Sequence, residues 1–381
     1  MAAPGSASIA VSLEGASKAG SIPTPVLLAG MLRASEKVSD LIFSPGRPPQ
    51  VEIHGQLTGV EIPGVGHLSA DDTRRIAADL IGNNKQAINM LREQGSCDVS
   101  YGLSGTARFR VNVFIQRGSC AVVMRVIPTV IPSFGSLRLP AQLENAAHVR
   151  NGIIFVTGGS GSGKSSTLAA LIDRINSEHC YHILTVEDPL EFLHKHKKST
   201  VHQRELHSDA PSFALALRAA LRQAPHVIMV GEIRDRETLE LLLEAAENGH
   251  LVLCGMHTVD ASKTVERIVG SFTSAEQQSV RERLAKTFRY IIAQRLIPQA
   301  NGAERIAVVE ILKSNSRSRD CVEQGERPGR TILDCLKASE REGMQHFDAE
   351  IAKLVHSGVV DAETALCFAS NATVLGQELA R

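Results

Sequence analysis

One glycine-rich segment near the middle of the chain constrains its fold more than any other; it reads Gly158, Gly159, Ser160, Gly161, Ser162, Gly163, Lys164 and Ser165. An apolar, β-prone run (152–157) precedes it, and Ser166 leads into an apolar run of helical character. Strand, loop and helix in this order are the context of a phosphate-binding loop, whose glycines let successive backbone N–H groups face one anion. The sequence therefore predicts a nucleoside triphosphate site on an α/β fold.

The residue types at the end of this loop suit the chemistry of a triphosphate. The following helix directs the positive end of its dipole at the phosphates, which the backbone of 158–166 would bind. Lys164 is expected to reach the β- and γ-phosphates, and the Ser165 hydroxyl to coordinate Mg²⁺. An accidental glycine-rich match is the alternative; the register of Lys164 and Ser165 between a predicted strand and a predicted helix argues against it.

Polar side chains also stand at the ends of three further predicted strands. Apolar runs end at Glu187, just before Glu232, and at His257. The carboxyl ends of parallel strands form the ligand-binding edge of an open sheet, so we expect these three side chains near the phosphate loop. Triphosphate hydrolysis needs a carboxylate to hold Mg²⁺ through water, an acceptor for the attacking water and a group that senses the γ-phosphate. The strand ends supply these parts.

Each of these residues has an alternative that the sequence leaves open. Glu187 could cap the following helix or pair with a neighbouring base, and His257 could be a hydrogen-bonded core histidine. Glu232 is harder to explain as a surface acid, because an apolar strand and a glycine precede it directly. Cys254 is interpreted as a small core residue.

Composition narrows the possible partners. The 381 residues include 41 basic and 41 acidic side chains, three tyrosines and no tryptophan. A nucleic-acid motor is therefore disfavoured, because there is neither a global positive field nor many rings for base stacking. The basic run 195–198 remains, and a solvated loop explains it equally well. The seven cysteines form no CxxC pair, which argues against a cysteine zinc site and favours a reducing, cytoplasmic location.

Changes in pattern along the chain divide it into segments. We predict a flexible tail (1–22), an amino-terminal domain (23–128), a linker (129–140) and a nucleotide-binding domain (141–381) that is helical from about 315. The amino-terminal domain begins with a predicted helix at 25–37. Its other predicted elements are strands at 39–43, 51–54, 108–114 and 121–127 and a helix starting at 69–72. In the second domain, strands at 152–157, 183–187, 227–231 and 251–257 alternate with helices, which indicates a mostly parallel sheet.

Two arginines of the amino-terminal domain are further candidates. Arg110 and Arg125 lie on the two predicted strands that suit an antiparallel sheet. Exposed strand arginines are commonly solvated or paired at the surface. The functional interpretation is a charge that approaches a triphosphate from outside the nucleotide-binding domain, supplied in trans by a neighbouring subunit.

Taken together, these segments resemble the secretion ATPases of type IV pili, and retraction motors of the PilT type above all. The resemblance runs from about 25 to 365 and rests on four boxes in order. They are a Walker A box at 158–166, an aspartate box at 183–192, a Walker B box at 227–235 and a histidine box at 249–258.

The resemblance implies a hexameric ring of subunits with a PAS-like amino-terminal domain and a RecA-like motor domain, using ATP and Mg²⁺. By it, Glu232 is the catalytic base, Glu187 assists magnesium or water, and His257 senses the γ-phosphate. Arg110 and Arg125 become arginine sensors. The ring would act at the inner face of the cytoplasmic membrane, turning an inner-membrane platform protein so that pilin leaves the fibre, and would associate with the membrane only through that partner.

The chain departs from the family pattern at three places. Gly159 replaces the usual proline, and Ala224 and His226 replace the usual aspartates before the Walker B strand. The run 317–322 retains little of the carboxy-terminal signature of retraction motors. An accessory retraction paralogue, or an ATPase of a related type II/IV secretion or conjugation system, therefore stays open. A ring component that binds nucleotide without turnover is disfavoured by the intact Lys164, Glu187 and Glu232.

Overall fold

The residues that the structure describes form two structural units, each built on a seven-stranded sheet. A computed structural model describes residues 8–10, 22–302 and 304–380. The division between the units falls at Thr129 and Val130. Of the predicted tail, residues 1–7 and 11–21 lie outside the described residues, and Ser8–Ala10 form a strand.

The amino-terminal unit contains strands β1 to β7 and helices α1 to α3. The strands are β1 (Ser8–Ala10), β2 (Val38–Phe43), β3 (Gln50–Ile53), β4 (Gln56–Glu61), β5 (Ser96–Leu103), β6 (Ala107–Gln116) and β7 (Ser119–Ile127); the helices are α1 (Thr24–Leu32), α2 (Ala70–Ile81) and α3 (Lys85–Gln94). The strand order is β1-β4-β3-β2-β7-β6-β5, antiparallel except for β1 against β4. Apolar side chains of the three helices and the strands form its core.

The sequence predictions for this unit hold for most elements. α2 starts where expected, because Ser69 accepts a hydrogen bond from the Asp72 N–H and the Asp72 side chain accepts one from the Ser69 N–H. A predicted helix over 25–37 was wrong at its end. The helix stops at Leu32, where Arg33 donates to the Gly30 carbonyl and closes the last turn more tightly.

The second unit contains strands β8 to β14 and helices α4 to α13. The strands are β8 (Gly152–Thr157), β9 (His182–Glu187), β10 (Thr200–Glu205), β11 (Val227–Val230), β12 (Leu251–Met256), β13 (Phe288–Pro298) and β14 (Arg305–Lys313). The helices are α4 (Lys164–Glu178), α5 (Phe213–Ala220), α6 (Arg236–Glu247), α7 (Ala261–Gly270), α8 (Gln277–Thr287), α9 (Ser316–Gln324), α10 (Ile332–Ala338), α11 (Phe347–His356), α12 (Ala362–Phe368) and α13 (Ala372–Leu379). A 3₁₀ helix over Ala141–His148 precedes β8.

The sheet of this unit is mostly parallel, as predicted. Its order is β10-β9-β11-β12-β8-β13-β14, and only β13 and β14 pair antiparallel. Every residue of β8, β11 and β12 is buried, which is typical of a sheet covered by helices on both faces. The predicted α/β architecture therefore sets the phosphate loop at the end of a central strand.

Strand β13 has different neighbours on its two faces. Gln294 is buried and hydrogen-bonds the Thr167 hydroxyl of α4 at 2.7 Å. Ala293 belongs instead to a core shared with Phe347 and Ile351 of α11. Successive strand residues point to opposite faces, so one strand contacts both the phosphate-loop helix and the carboxy-terminal helices.

Candidate active site

The phosphate loop joins β8 to α4 in a conformation that depends on glycine. Gly163 caps the start of α4 with φ +91°, and a Cβ there would lie 2.7 Å from the Gln294 side-chain nitrogen. Gly158 has φ +150°, and a Cβ there would lie 2.5 Å from the Gln294 carbonyl oxygen. A side chain at either position would clash with Gln294, so the backbone conformation that turns the loop N–H groups towards an anion requires glycine.

Lys164 stands at the mouth of the loop. Its ammonium donates to the carbonyl oxygens of Gly158 at 2.9 Å and Gly159 at 2.8 Å, and lies 3.4 Å from Nδ1 of His257. Burial lowers the pKa of Lys164, while the charges of Glu232 and Glu191 act in the opposite direction. The first residue of α4 thus holds a cation over the helix amino terminus, where phosphate oxygens bind.

Glu187 is a buried carboxyl at the end of β9. Its oxygens accept hydrogen bonds from the Thr185 hydroxyl at 2.7 Å, the Gln203 amide at 3.2 Å and the Glu191 backbone N–H at 3.4 Å. Burial outweighs these bonds and raises the pKa of Glu187 to about 7. The strand-end acid therefore changes its charge near neutral pH. Glu187 is therefore not a helix cap, because its main hydrogen-bond donors are Thr185 of the same strand and Gln203.

Replacing Glu187 with glutamine is expected to change how stability depends on pH. Since the pKa of Glu187 is raised in the folded protein, the folded form binds more protons than the unfolded form, and the free energy of unfolding falls as pH rises from about 4.3 to about 7. The neutral amide removes this contribution, which amounts to at most about 4 kcal/mol across the window. Urea unfolding at a series of pH values measures the slope.

The exposed Glu244 provides the matched control, and its change to glutamine should leave the parental slope. A constant cost from imperfect amide hydrogen bonding in Glu187→Gln shifts all pH values equally and does not affect the comparison. A Glu187→Gln slope equal to that of the parent would contradict the assigned ionisation.

Glu232 lies at the centre of a charged network after β11. One of its oxygens lies 2.9 Å from Nε2 of His257, and the other accepts a hydrogen bond from Arg234. Arg234 also donates to Asp188 at 2.8 Å. Burial raises the pKa of Glu232, but the hydrogen bonds from Arg234 and His257 outweigh it and the pKa is lowered overall. Glu232 is therefore a carboxylate at neutral pH, available as a proton acceptor.

One cavity brings the predicted acids together with the loop. Ser165, Glu187 and Glu232 line it, with Asp188 and His194 beside them. A hydroxyl and carboxylates are the oxygen ligands that Mg²⁺ prefers. The Ser162 hydroxyl is buried and has no hydrogen-bond partner within the described part of the chain. These residues fit a phosphate group and a hard divalent cation.

Three residues of this site lack an assigned role in the sequence interpretation. Gln294 of β13 accepts a hydrogen bond from Thr167 of α4, Arg234 joins Glu232 to Asp188, and His194 lines the cavity with its pKa lowered to about 4 by burial. The available signal for Gln294 is a lone amide within the apolar run that forms β13. No pattern in the sequence marks Arg234, because its partners Glu232 and Asp188 follow two different strands.

Arg110 and Arg125 lie on β6 and β7 of the amino-terminal unit. They face each other across the β6–β7 ladder, and Arg125 also pairs with the buried Asp40 at 3.0 Å. The Arg125 side chain remains 71% exposed, so this ion pair leaves much of the guanidinium accessible. Their action on a nucleotide stays a prediction.

The similarity of this sequence to known proteins agrees with the geometry of the candidate active site. Residues 94–370 match the model of the family described as "Type II/IV secretion system protein". The chain belongs to this family. Among type II/IV secretion system proteins, a twitching motility protein of Neisseria gonorrhoeae is 39% identical over 85% of this chain and 84% of its own. The type IV pilus ATPase PilU of Pseudomonas aeruginosa is 36% identical over 88% of this chain and 86% of its own.

A solved structure of a type II/IV secretion relative supports the fold. The crystal structure of the pilus retraction motor PilT with bound ADP matches with a TM-score of 0.81 at 37% identity, over 93% of this chain and 98% of that one. The predicted fold class, an amino-terminal α/β domain and a RecA-like domain with a helical carboxy-terminal extension, is confirmed. Within residues 8–10, 22–302 and 304–380, no helix has the length and apolar character that a membrane span needs.

Proposed function

We propose that this protein is an ATP hydrolase that drives type IV pilus retraction as a hexameric motor. The observation that carries the proposal is the contact series from Lys164 through His257 to Glu232, at 3.4 and 2.9 Å. It joins the phosphate loop to a carboxylate that can accept a proton, which is the arrangement triphosphate hydrolysis requires. The similarity to a twitching motility protein and to the PilT motor supports pilus retraction as the work performed.

Glu232 acts as the general base in this proposal. A carboxylate offers about four lone-pair sites, and Arg234 and His257 use only two of them. The remaining sites can hold the attacking water and take its proton. His257 contacts both Lys164 and Glu232, so a change at the γ-phosphate that moves Lys164 also reaches the base.

Ser165 and Glu187 are the residues that we assign to Mg²⁺. An ion held there would supply positive charge that stabilises the negative charge developing on the phosphate. Both residues line the cavity beside Glu232. A dication next to Glu187 lowers the pKa of this carboxyl from about 7, so the ionised form is the one that holds metal or its water.

The remaining roles concern the assembly. We assign Arg110 and Arg125 to the charge that a neighbouring subunit contributes to the triphosphate, because both side chains are exposed and lie opposite each other on the β6–β7 ladder. Stabilisation of transferred phosphate by such an arginine accelerates hydrolysis strongly in other triphosphatases. We place the hexamer at the cytoplasmic face of the inner membrane, bound to the pilus platform protein.

Deletion of the gene in its host tests the function. We expect cells with excess surface pili that no longer retract, since extension continues without the opposing motor. Complementation with the parental gene restores retraction, and a Lys164→Ala gene made at equal level does not. Loss of pili would contradict retraction and indicate an assembly role.

An accessory retraction ATPase is the second candidate, and the departure of the run 317–322 from the signature of retraction motors favours it. The altered run 317–322 falls on α9, where Cys321 and Val322 are buried in the core of the second unit. For this candidate we expect the deletion to weaken retraction against load and to leave unloaded retraction intact.

A further inference from the structure

Imidazole rings gather at one edge of the second unit, where its parallel strands begin. This is the edge opposite the phosphate loop, because β8 enters there and leaves at the loop. Seven histidines lie within four residues of these strand starts: His148, His179, His182, His196, His202, His226 and His250. The proposed hydrolysis uses none of them.

Two of these histidines converge with a carboxylate. His148 ends the 3₁₀ helix before β8, Glu178 ends α4, and His179 follows directly. One ligand atom from each residue lies within 4.8 Å of the others. His148 Nδ1 and Glu178 Oε2 are 3.6 Å apart. Two ligands of one tetrahedral zinc ion, each about 2.0–2.1 Å from the metal, stand about 3.3 Å apart. The pair thus lies close to a chelating separation.

Two potential ligand atoms of this cluster are buried and lack a hydrogen bond. Glu178 Oε2 and His179 Nε2 have no hydrogen-bond partner in the portion of the chain that the structure describes. An acceptor buried in this way destabilises the folded protein, and a bound cation removes that cost. Both atoms are of the kinds that coordinate a metal directly.

Neighbouring side chains hold the cluster in place. Arg174 Nε lies 2.6 Å from Glu178 Oε1, the oxygen that does not face His148. The ring of His179 stacks on Tyr181 with centroids 4.8 Å apart, and Tyr181 stacks in turn on His226 at 5.0 Å. Partners that fix the orientation of ligands in this way are a regular feature of metal sites.

We propose that His148, Glu178 and His179 bind one divalent transition-metal ion, with Zn²⁺ as the best fit. Two imidazole nitrogens and one carboxylate oxygen suit Zn²⁺ and its neighbours Co²⁺, Ni²⁺ and Cu²⁺ rather than Mg²⁺ or Ca²⁺. Three protein ligands leave a fourth tetrahedral position for water.

The consequence of binding is a link between two segments. The metal ties the end of the 3₁₀ helix to the end of α4, whose first residue is Lys164. With a rise of about 1.5 Å per residue, α4 keeps the ion roughly 20 Å from the phosphates. We therefore expect the metal to stabilise the unit without occupying the nucleotide site.

Metal titration of the untagged full-length protein, first treated with EDTA and desalted, tests the proposal. We expect one Zn²⁺ per chain by calorimetry, an upward shift of the melting temperature, and with Co²⁺ the visible absorption of a tetrahedral site. His148→Ala/His179→Ala should lose all three signals. His196→Ala/His202→Ala removes as many imidazoles from the same edge and should keep them.

The Arg174→Gln variant distinguishes a specific metal site from adventitious binding of Zn²⁺. It leaves the three ligands in place and removes the group beside Glu178, so affinity should fall about tenfold or more with the stoichiometry retained. Equal Zn²⁺ binding by the parent and by His148→Ala/His179→Ala would overturn the proposal, as would a parent that binds no Zn²⁺. Circular dichroism of each variant confirms that it is folded.

Discussion

Lys164→Ala is expected to abolish nucleotide binding. The Lys164 ammonium lies at the amino terminus of α4, half-buried and held by two loop carbonyls. Removing it leaves the phosphate charge facing the loop without its cation, and the loss of one partner from a desolvated charge pair costs about 2–5 kcal/mol. Affinity for ATP should therefore fall on the order of a hundredfold or more, as measured by calorimetry or with a fluorescent ATP analogue.

The control for this variant is Lys198→Ala, which removes an exposed lysine from a loop of the same unit. It should bind ATP as the parent does. Because Lys164 also bridges the carbonyls of Gly158 and Gly159, the melting temperature of Lys164→Ala is compared with that of the parent. Tight ATP binding by a folded Lys164→Ala protein would be incompatible with the phosphate-loop assignment.

Glu232→Gln is expected to keep nucleotide binding and lose turnover. The amide keeps the size of the side chain, but it cannot take a proton from water. General-base catalysis contributes about 10²–10⁴-fold to the rate, so hydrolysis should fall by at least about a hundredfold. Phosphate release under single-turnover conditions, with ATP affinity measured in parallel, separates the two effects.

Asp188→Asn is the matched control for Glu232→Gln. Asp188 shares Arg234 with Glu232 but does not contact His257 through any hydrogen bond among the described residues. If the network merely positions Arg234, both variants should lose similar activity. If Glu232 is the base, the loss in Glu232→Gln is much larger. Hydrolysis by Glu232→Gln at the parental rate would show that another group accepts the proton.

The features that the sequence predicted well are local ones. The phosphate loop, the capped start of α2 and the acids at strand ends are each specified by neighbours within a few residues, so pattern and spacing identify them. The common edge of Glu187, Glu232 and His257 also followed, because parallel strands bring their carboxyl ends together.

The features that the sequence could not predict depend on contacts between residues far apart in the chain. β13 is an apolar run that periodicity alone does not distinguish from a helix, so the position of Gln294 beside the loop was not predictable. Arg234 and Asp188 are 46 positions apart, and their contact exists only after β9 and β11 pair. The buried environment that raises the pKa of Glu187 to about 7 likewise arises from packing.

The two-sided contacts of β13 imply mechanical communication across the second unit. Gln294 is bonded to α4 through Thr167, whereas the next residue, Arg295, lies over the Phe347 ring of α11, with its guanidinium carbon 3.8 Å from the ring centre. Consecutive residues of a strand cannot move independently. A displacement of α11 by a force on the carboxy-terminal helices would therefore be transmitted to the cradle around the phosphates, and nucleotide-driven movement of the cradle would push back on those helices.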